Sequence, residues 1–99
     1  MMELHICNQQ GMLLRAYALG DSTEVIIGRD DSCDIRIQAR SVSREHCAIE
    51  TDGDNLVLRD LGSTGGTFMG DKRIDTVKVE NGMEVKIGPA VLKFIDSEI

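Results

Sequence analysis

Apolar and polar residues alternate with a period of two along most of this chain. Leu4-His5-Ile6, Leu56-Val57-Leu58-Arg59, Val77-Lys78-Val79-Glu80, Val85-Lys86-Ile87 and Leu92-Lys93-Phe94 carry the pattern. Successive side chains of a strand point to opposite faces, so such segments predict half-buried β-strands. Val25-Ile26-Ile27 is a short β-branched run and predicts a strand buried on both sides. No window carries an apolar stripe of helical period with caps at its ends. Turn residues fall between the strands at Asn8 to Gly11, Gly20-Asp21-Ser22, Asp30 to Cys33, Asp52 to Asn55, Gly62 to Gly66, Gly70-Asp71, Asn81-Gly82 and Gly88-Pro89. Asp52-Gly53 and Asn81-Gly82 predict tight hairpins, because Gly and Asn tolerate positive φ. The expected strands are 3–7, 13–19, 24–28, 34–37, 46–51, 55–60, 67–69, 76–80, 84–87 and 91–95. Many short strands at this spacing predict an all-β antiparallel sandwich.

The length of 99 residues suits one domain, 1–99, without an internal repeat or an interdomain linker. The longest apolar runs are far below the ~20 residues that a membrane-spanning helix needs. The start, Met1-Met2-Glu3-Leu4-His5, has no basic region and no long apolar stretch, so it does not read as a secretory signal. Cys7, Cys33 and Cys47 are odd in number, scattered and without a Cys-x-x-Cys pair. They predict small core or loop residues in a reduced, cytoplasmic protein rather than a disulfide framework. Two histidines, His5 and His46, leave little material for a zinc site, and no metal or cofactor is expected. The net charge of −6 argues against a nucleic-acid partner. The charge is uneven, however: between Gly28 and His46, Arg29, Arg36, Arg40 and Arg44 balance Asp30, Asp31, Asp34 and Glu45, and the acidic excess lies elsewhere. A local arginine cluster on an acidic chain suits a small anion better than a polyanion.

Three segments bear candidate chemistry. Gly28-Arg29 ends a strand, and its guanidinium is either solvated or held ready for an anion that its planar fork can grip. Ser43-Arg44-Glu45-His46 lies where a loop enters a strand. It admits a nucleophile pair, a loop shaped by a buried histidine, or a phosphate loop with Ser43 and Arg44 as donors. The nucleophile reading lacks an elbow motif and an orienting acid. Gly62 to Thr67 is rich in glycine and hydroxyls, either as a flexible connector or as a stiff loop presenting Thr64 and backbone N–H groups. It lacks the lysine and following helix of a nucleotide-binding P-loop, so ATP or GTP is not expected.

Taken together, Gly28-Arg29, Ser43-Arg44-Glu45-His46 and Ser63-Thr64-Gly65-Gly66-Thr67 resemble the forkhead-associated (FHA) family, whose modules bind peptides carrying phosphothreonine. The resemblance runs from about Val25 to Phe94, and Asp34-Ile35, Asp60-Leu61-Gly62 and Gly82 to Gly88 also look like the family's framework. It implies an eleven-stranded sandwich with the three segments meeting at one end. By this resemblance Ser43, Arg44 and Thr64 contact phosphate, and Arg29 supports the phosphate or the peptide backbone. Gly28 and His46 are structural, His46 bracing the loop that carries Ser43. The loop before Ser43 reads neighbouring ligand residues, with Arg40 and Ser41 as specificity candidates. Gly65 departs from the family, which usually has an asparagine there that holds the peptide backbone.

The expected function is therefore a non-catalytic module that recognises phosphothreonine in partner proteins, in kinase-dependent signalling or assembly. It is expected to act without nucleic acid or membrane and as part of a longer chain. The alternative is a phosphate-independent interaction or scaffold domain of the same fold, motivated by Gly65. A hydrolase using Ser43 and His46 is the reading from a different class.

Overall fold

The computed structural model describes residues 1–20 and 24–96. Asp21 and Ser22, in one of the expected turns, lie outside the described residues. The described chain forms eleven strands: β1 Met2–Cys7, β2 Leu13–Ala18, β3 Glu24–Gly28, β4 Ile35–Arg36, β5 Cys47–Asp52, β6 Asn55–Asp60, β7 Phe68–Met69, β8 Lys72–Arg73, β9 Thr76–Lys78, β10 Glu84–Ile87 and β11 Ala90–Asp96. They divide into a six-stranded sheet, β2-β1-β11-β10-β7-β8, and a five-stranded sheet, β4-β3-β5-β6-β9. Every pairing is antiparallel except β3 with β4, which runs parallel through Ile27↔Ile35 and Gly28↔Arg36.

The alternation places Leu4, Ile6, Val85, Ile87, Leu92 and Phe94 on the inner face of the first sheet, all nearly or fully buried. Ile27, Cys47, Ile49 and Leu58 meet them from the second sheet. Complete burial of a Leu, Ile or Phe side chain contributes about 1.5–3 kcal/mol, so these ten side chains supply much of the force that closes the sandwich. Val25 and Ile26 are only half-buried, and Ile27 alone of that run is in the core. The expectation of a strand buried on both faces fails, because Ile26, on the outer face opposite Ala48, is only half-buried.

Three hairpins close with two-residue loops, Gly53-Asp54, Gly70-Asp71 and Gly88-Pro89. In each the first residue is a glycine of positive φ, the pattern of a type II′ turn, whose twist matches the strands. Asn81-Gly82 does not form the expected hairpin. It joins β9 to β10, which belong to different sheets, and Asn81 Oδ1 accepts the Asp96 N–H at 2.8 Å. Strand β8, absent from the sequence expectation, is two exposed residues long and pairs Phe68↔Arg73 and Met69↔Lys72.

Candidate functional site

The loops at residues 29–34, 37–46 and 61–67 converge at one end of the sandwich. Gly28 brings the first two together. A Cβ at this position would sit 2.1 Å from the Arg44 carbonyl oxygen, so only glycine permits the approach. The adjacent backbone bonds are Arg29 N–H to Ser43 O at 2.9 Å and Asp30 N–H to Arg44 O at 3.1 Å. The Cys33 thiol also donates to Arg44 O at 3.1 Å. The exposed pair Arg40-Ser41 is flanked by Ile37 and Val42, both buried, which pin the loop to the core.

His46 joins the second loop to the third from a position with no exposed surface. Its Nδ1 accepts the Ser43 backbone N–H at 3.0 Å, and its Nε2 bonds Gly66 O at 2.9 Å. A carbonyl only accepts, so the proton resides on Nε2. Ser43 Oγ accepts the Thr64 N–H at 3.0 Å, a second tie between the loops. Both nitrogens of His46 are therefore spent on backbone groups, and neither is the base of a Ser43 nucleophile.

Asp60 organises the third loop. Its Oδ2 accepts the N–H groups of Gly62 and Ser63, both at 3.0 Å. Its Oδ1 accepts the Ser63 hydroxyl at 2.6 Å and the Thr67 hydroxyl at 2.7 Å. Ser63 Oγ in turn accepts the Gly66 N–H at 3.0 Å, and Arg73 Nη2 donates to Ser63 O at 2.7 Å. Burial alone pushes the Asp60 carboxyl up. The bonds from Ser63 and Thr67 outweigh it and hold the pKa below the ordinary aspartate value. Gly62 to Thr67 is thus stiffened throughout, although Asp60 and Arg73 were not among the expected site residues. The available signal was Asp60-x-Gly62-Ser63, since an aspartate often bonds backbone N–H groups two residues on. Arg73 had none, because it lies on the two-residue β8.

Arg29, Arg40, Ser41, Val42, Ser43, Thr64 and Gly65 line one cavity of about 410 Å³. Six of the expected contact and specificity residues are thereby brought together, with no carboxylate among the lining residues. Arg44 departs from that set. It lines the adjoining hollow with Arg29, Asp30, Asp31 and Arg36, and Arg29 borders both. Arg29 Nε donates to Val42 O at 3.0 Å, which steadies the guanidinium while its terminal amino groups keep no protein partner among the described residues. The Ser43 hydroxyl, accepting from Thr64, still has its own proton to donate. A cavity lined by two arginines and three hydroxyl-bearing residues, with no carboxylate among them, is chemically suited to an oxyanion. Another cavity, between Ile6, Leu14, Ile37 and Pro89, is mainly apolar and offers one cation, Arg15. The cysteines are unpaired, and burial pushes the Cys47 thiol up to about 12, which makes it inert.

The FHA domain family model matches residues 25–88, a span that contains all three converging loops. The chain is 32% identical over 75 residues to the glycogen accumulation regulator GarA of Mycolicibacterium smegmatis, covering 76% of this chain and 48% of that protein. It is 29% identical over 85 residues to the ABC transporter ATP-binding/permease protein Rv1747 of Mycobacterium tuberculosis, covering 86% of this chain and 10% of that protein. The chain therefore spans less than half the length of these two relatives. A solved structure from work on phosphothreonine-dependent FHA domain interactions superposes with a TM-score of 0.84 at 26% identity, covering 99% of this chain and 98% of that one. With the family's pattern matched over more than half its length and the same sandwich in three dimensions, the chain belongs to the FHA domain family.

Proposed function

We propose that this domain is a non-catalytic module that binds phosphothreonine in partner proteins, with the phosphate seated between the Ser43 and Thr64 loops. The observation that carries the reading is the cavity that gathers Arg29, Arg40, Ser41, Ser43 and Thr64 without a carboxylate. In it the Ser43 and Thr64 hydroxyls donate to phosphate oxygens. Arg29 approaches from the same side and Arg44 from the adjoining hollow. Gly28 and His46 hold the loops in register, and Arg40, Ser41 and Gly65 face the residues that flank the phosphothreonine. The related structure concerns phosphothreonine-dependent interactions, which supports the same ligand here. The partner is a substrate of a serine/threonine kinase. The engagement of both His46 nitrogens by backbone groups supports a binding role over hydrolysis. Three unpaired cysteines support a reducing, cytoplasmic setting, and no helix among the described residues is long and apolar enough to cross a membrane.

Titration against a degenerate phosphothreonine peptide library and its unphosphorylated twin tests the reading. The phosphorylated library is expected to bind and its twin not. Hydrogen bonds to charged groups contribute about 1.5–3 kcal/mol, so Arg44→Ala and Ser43→Ala should each weaken binding by ~10–100-fold. Arg44→Ala should leave the melting temperature unchanged. Ser43→Ala should lower it modestly, because it also unties the Thr64 N–H. Equal binding of both libraries would overturn the reading in favour of a phosphate-independent interaction domain.

A further inference from the structure

Gly65 borders two cavities. One is the cavity of Ser43 and Thr64; the other, of about 250 Å³, is lined by Gly65, Phe68, Gly70, Lys86 and Gly88. Gly65 has no left-handed φ, so its backbone conformation does not demand a glycine. What a side chain there would meet is the Ser41 carbonyl, 3.0 Å from an added Cβ. Any larger residue would therefore crowd the boundary between the two cavities. With glycine, residue 65 puts no side chain between the cavity of Ser43 and Thr64 and the one beside Lys86.

The lining of the second cavity carries a single charge, Lys86. On β10, Val85 and Ile87 face the core, while Glu84 and Lys86 face out. Glu84 stands opposite Lys93 and pairs with it at 4.0 Å. Lys86 stands opposite Val91 on one side and Phe68 on the other, both uncharged, and has no ion-pair partner among the described residues. The remaining lining is three glycines and the half-buried Phe68 ring. An ammonium without an ion-pair partner beside a half-buried aromatic residue, in a hollow without a carboxylate, is complementary to an acidic side chain. The domain's net charge of −6 repels acidic peptides as a whole. Attraction at Lys86 is thus a local selection, set against the background rather than by it.

We propose that Lys86 and Phe68 form a subsite, opened to the phosphate cavity by Gly65, that takes an Asp or Glu side chain of the partner within a few residues of its phosphothreonine. The proposal rests on the phosphothreonine reading and adds a second determinant to it. The test is a peptide library with one fixed phosphothreonine and randomised flanks, selected on the wild type, Lys86→Gln and Lys86→Glu. Lys86 is exposed and outside the phosphate cavity, so all three proteins should retain the wild-type melting temperature and require phosphothreonine. The wild type should enrich Asp and Glu over Asn and Gln by about 2- to 5-fold at one flanking position, the scale of a partly exposed ion pair. Lys86→Gln should lose that enrichment, and Lys86→Glu should replace it with Lys and Arg. Phosphothreonine selection without acidic enrichment, or enrichment unchanged in Lys86→Gln, would overturn the subsite alone. Loss of phosphothreonine selection in the wild type would overturn the subsite together with the reading beneath it.

Discussion

His46 shows how one residue holds the site without facing a ligand. Its ring is fully buried, and its two bonds span the Ser43 and Gly66 loops. His46→Ala would leave a void, an unpaired Ser43 N–H and an unpaired Gly66 carbonyl. We expect a loss of ~1–3 kcal/mol, visible as a lower melting temperature accompanied by weaker phosphopeptide binding. Weak binding at an unchanged melting temperature would make His46 a direct ligand instead. Gly65 sits at the opposite extreme, exposed and with ordinary φ. Gly65→Asn should fold once the Ser41 carbonyl yields by a few tenths of an ångström. It should bind phosphothreonine peptides with only alanine neighbours about 2- to 10-fold more tightly, through one new bond of ~0.5–1.5 kcal/mol to the peptide backbone. Titration of mutant and wild type with one such peptide decides this, and equal or weaker binding refutes it. The sequence motifs marked Gly28, Ser43, His46 and Thr64, but not the reason for Gly28. That reason is the nearness of the Arg44 carbonyl, a contact between segments sixteen residues apart that no local pattern encodes.

Among the elements, every strand except β8 was legible in the sequence. Alternation identified β1, β10 and β11 because each lays every second side chain in the core. It says which face is buried but not which neighbour pairs, so the sheet order and the parallel β3–β4 contact lay beyond it. Strand β8 offers only exposed Lys72 and Arg73 and thus no apolar signal. Gly62 to Thr67 read either as a flexible connector or as a stiff loop, and the four donors that the Asp60 carboxylate gathers from it make it the stiff one. Asp60→Asn removes a charged acceptor from that network. We expect a loss of at least ~2 kcal/mol, or a melting temperature lower by about 8–16 °C for a chain of this size. The same network dictates an acid limb. The folded pKa of Asp60 lies below its unfolded value, so unfolding takes up a proton between the two. The stability is fully present above the unfolded aspartate value of about 3.9 and is lost as pH falls through the lower folded value. Denaturant unfolding followed from pH 7 to 2 should show this loss in the wild type and a shallower one in Asp60→Asn; parallel profiles would refute the assignment.

Across the whole molecule, the four arginines between Gly28 and His46 offset the four acids of the same segment, so the excess negative charge lies away from the loop end. The pairing of β1 with β11 adds a second polarity. Met2 lies opposite Asp96, and Cys7 lies opposite Val91, beside the Gly88–Ala90 turn. That turn borders the site, since a Cβ on Gly88 would come within 2.6 Å of Ser41 Oγ. Both ends of the β1–β11 ribbon nearest the chain termini are therefore about 17 Å from the binding end, five strand steps away. Fusing a folded domain ahead of Met1 or after the last residue should leave phosphopeptide affinity within about twofold, checked by titrating each fusion. A tenfold loss from either would contradict the geometry. The ribbon thus acts as a handle. Whether a larger protein carries this domain at its front, at its back or between two others, the handle of Met2 and Asp96 lies at the end of the ribbon away from the loops.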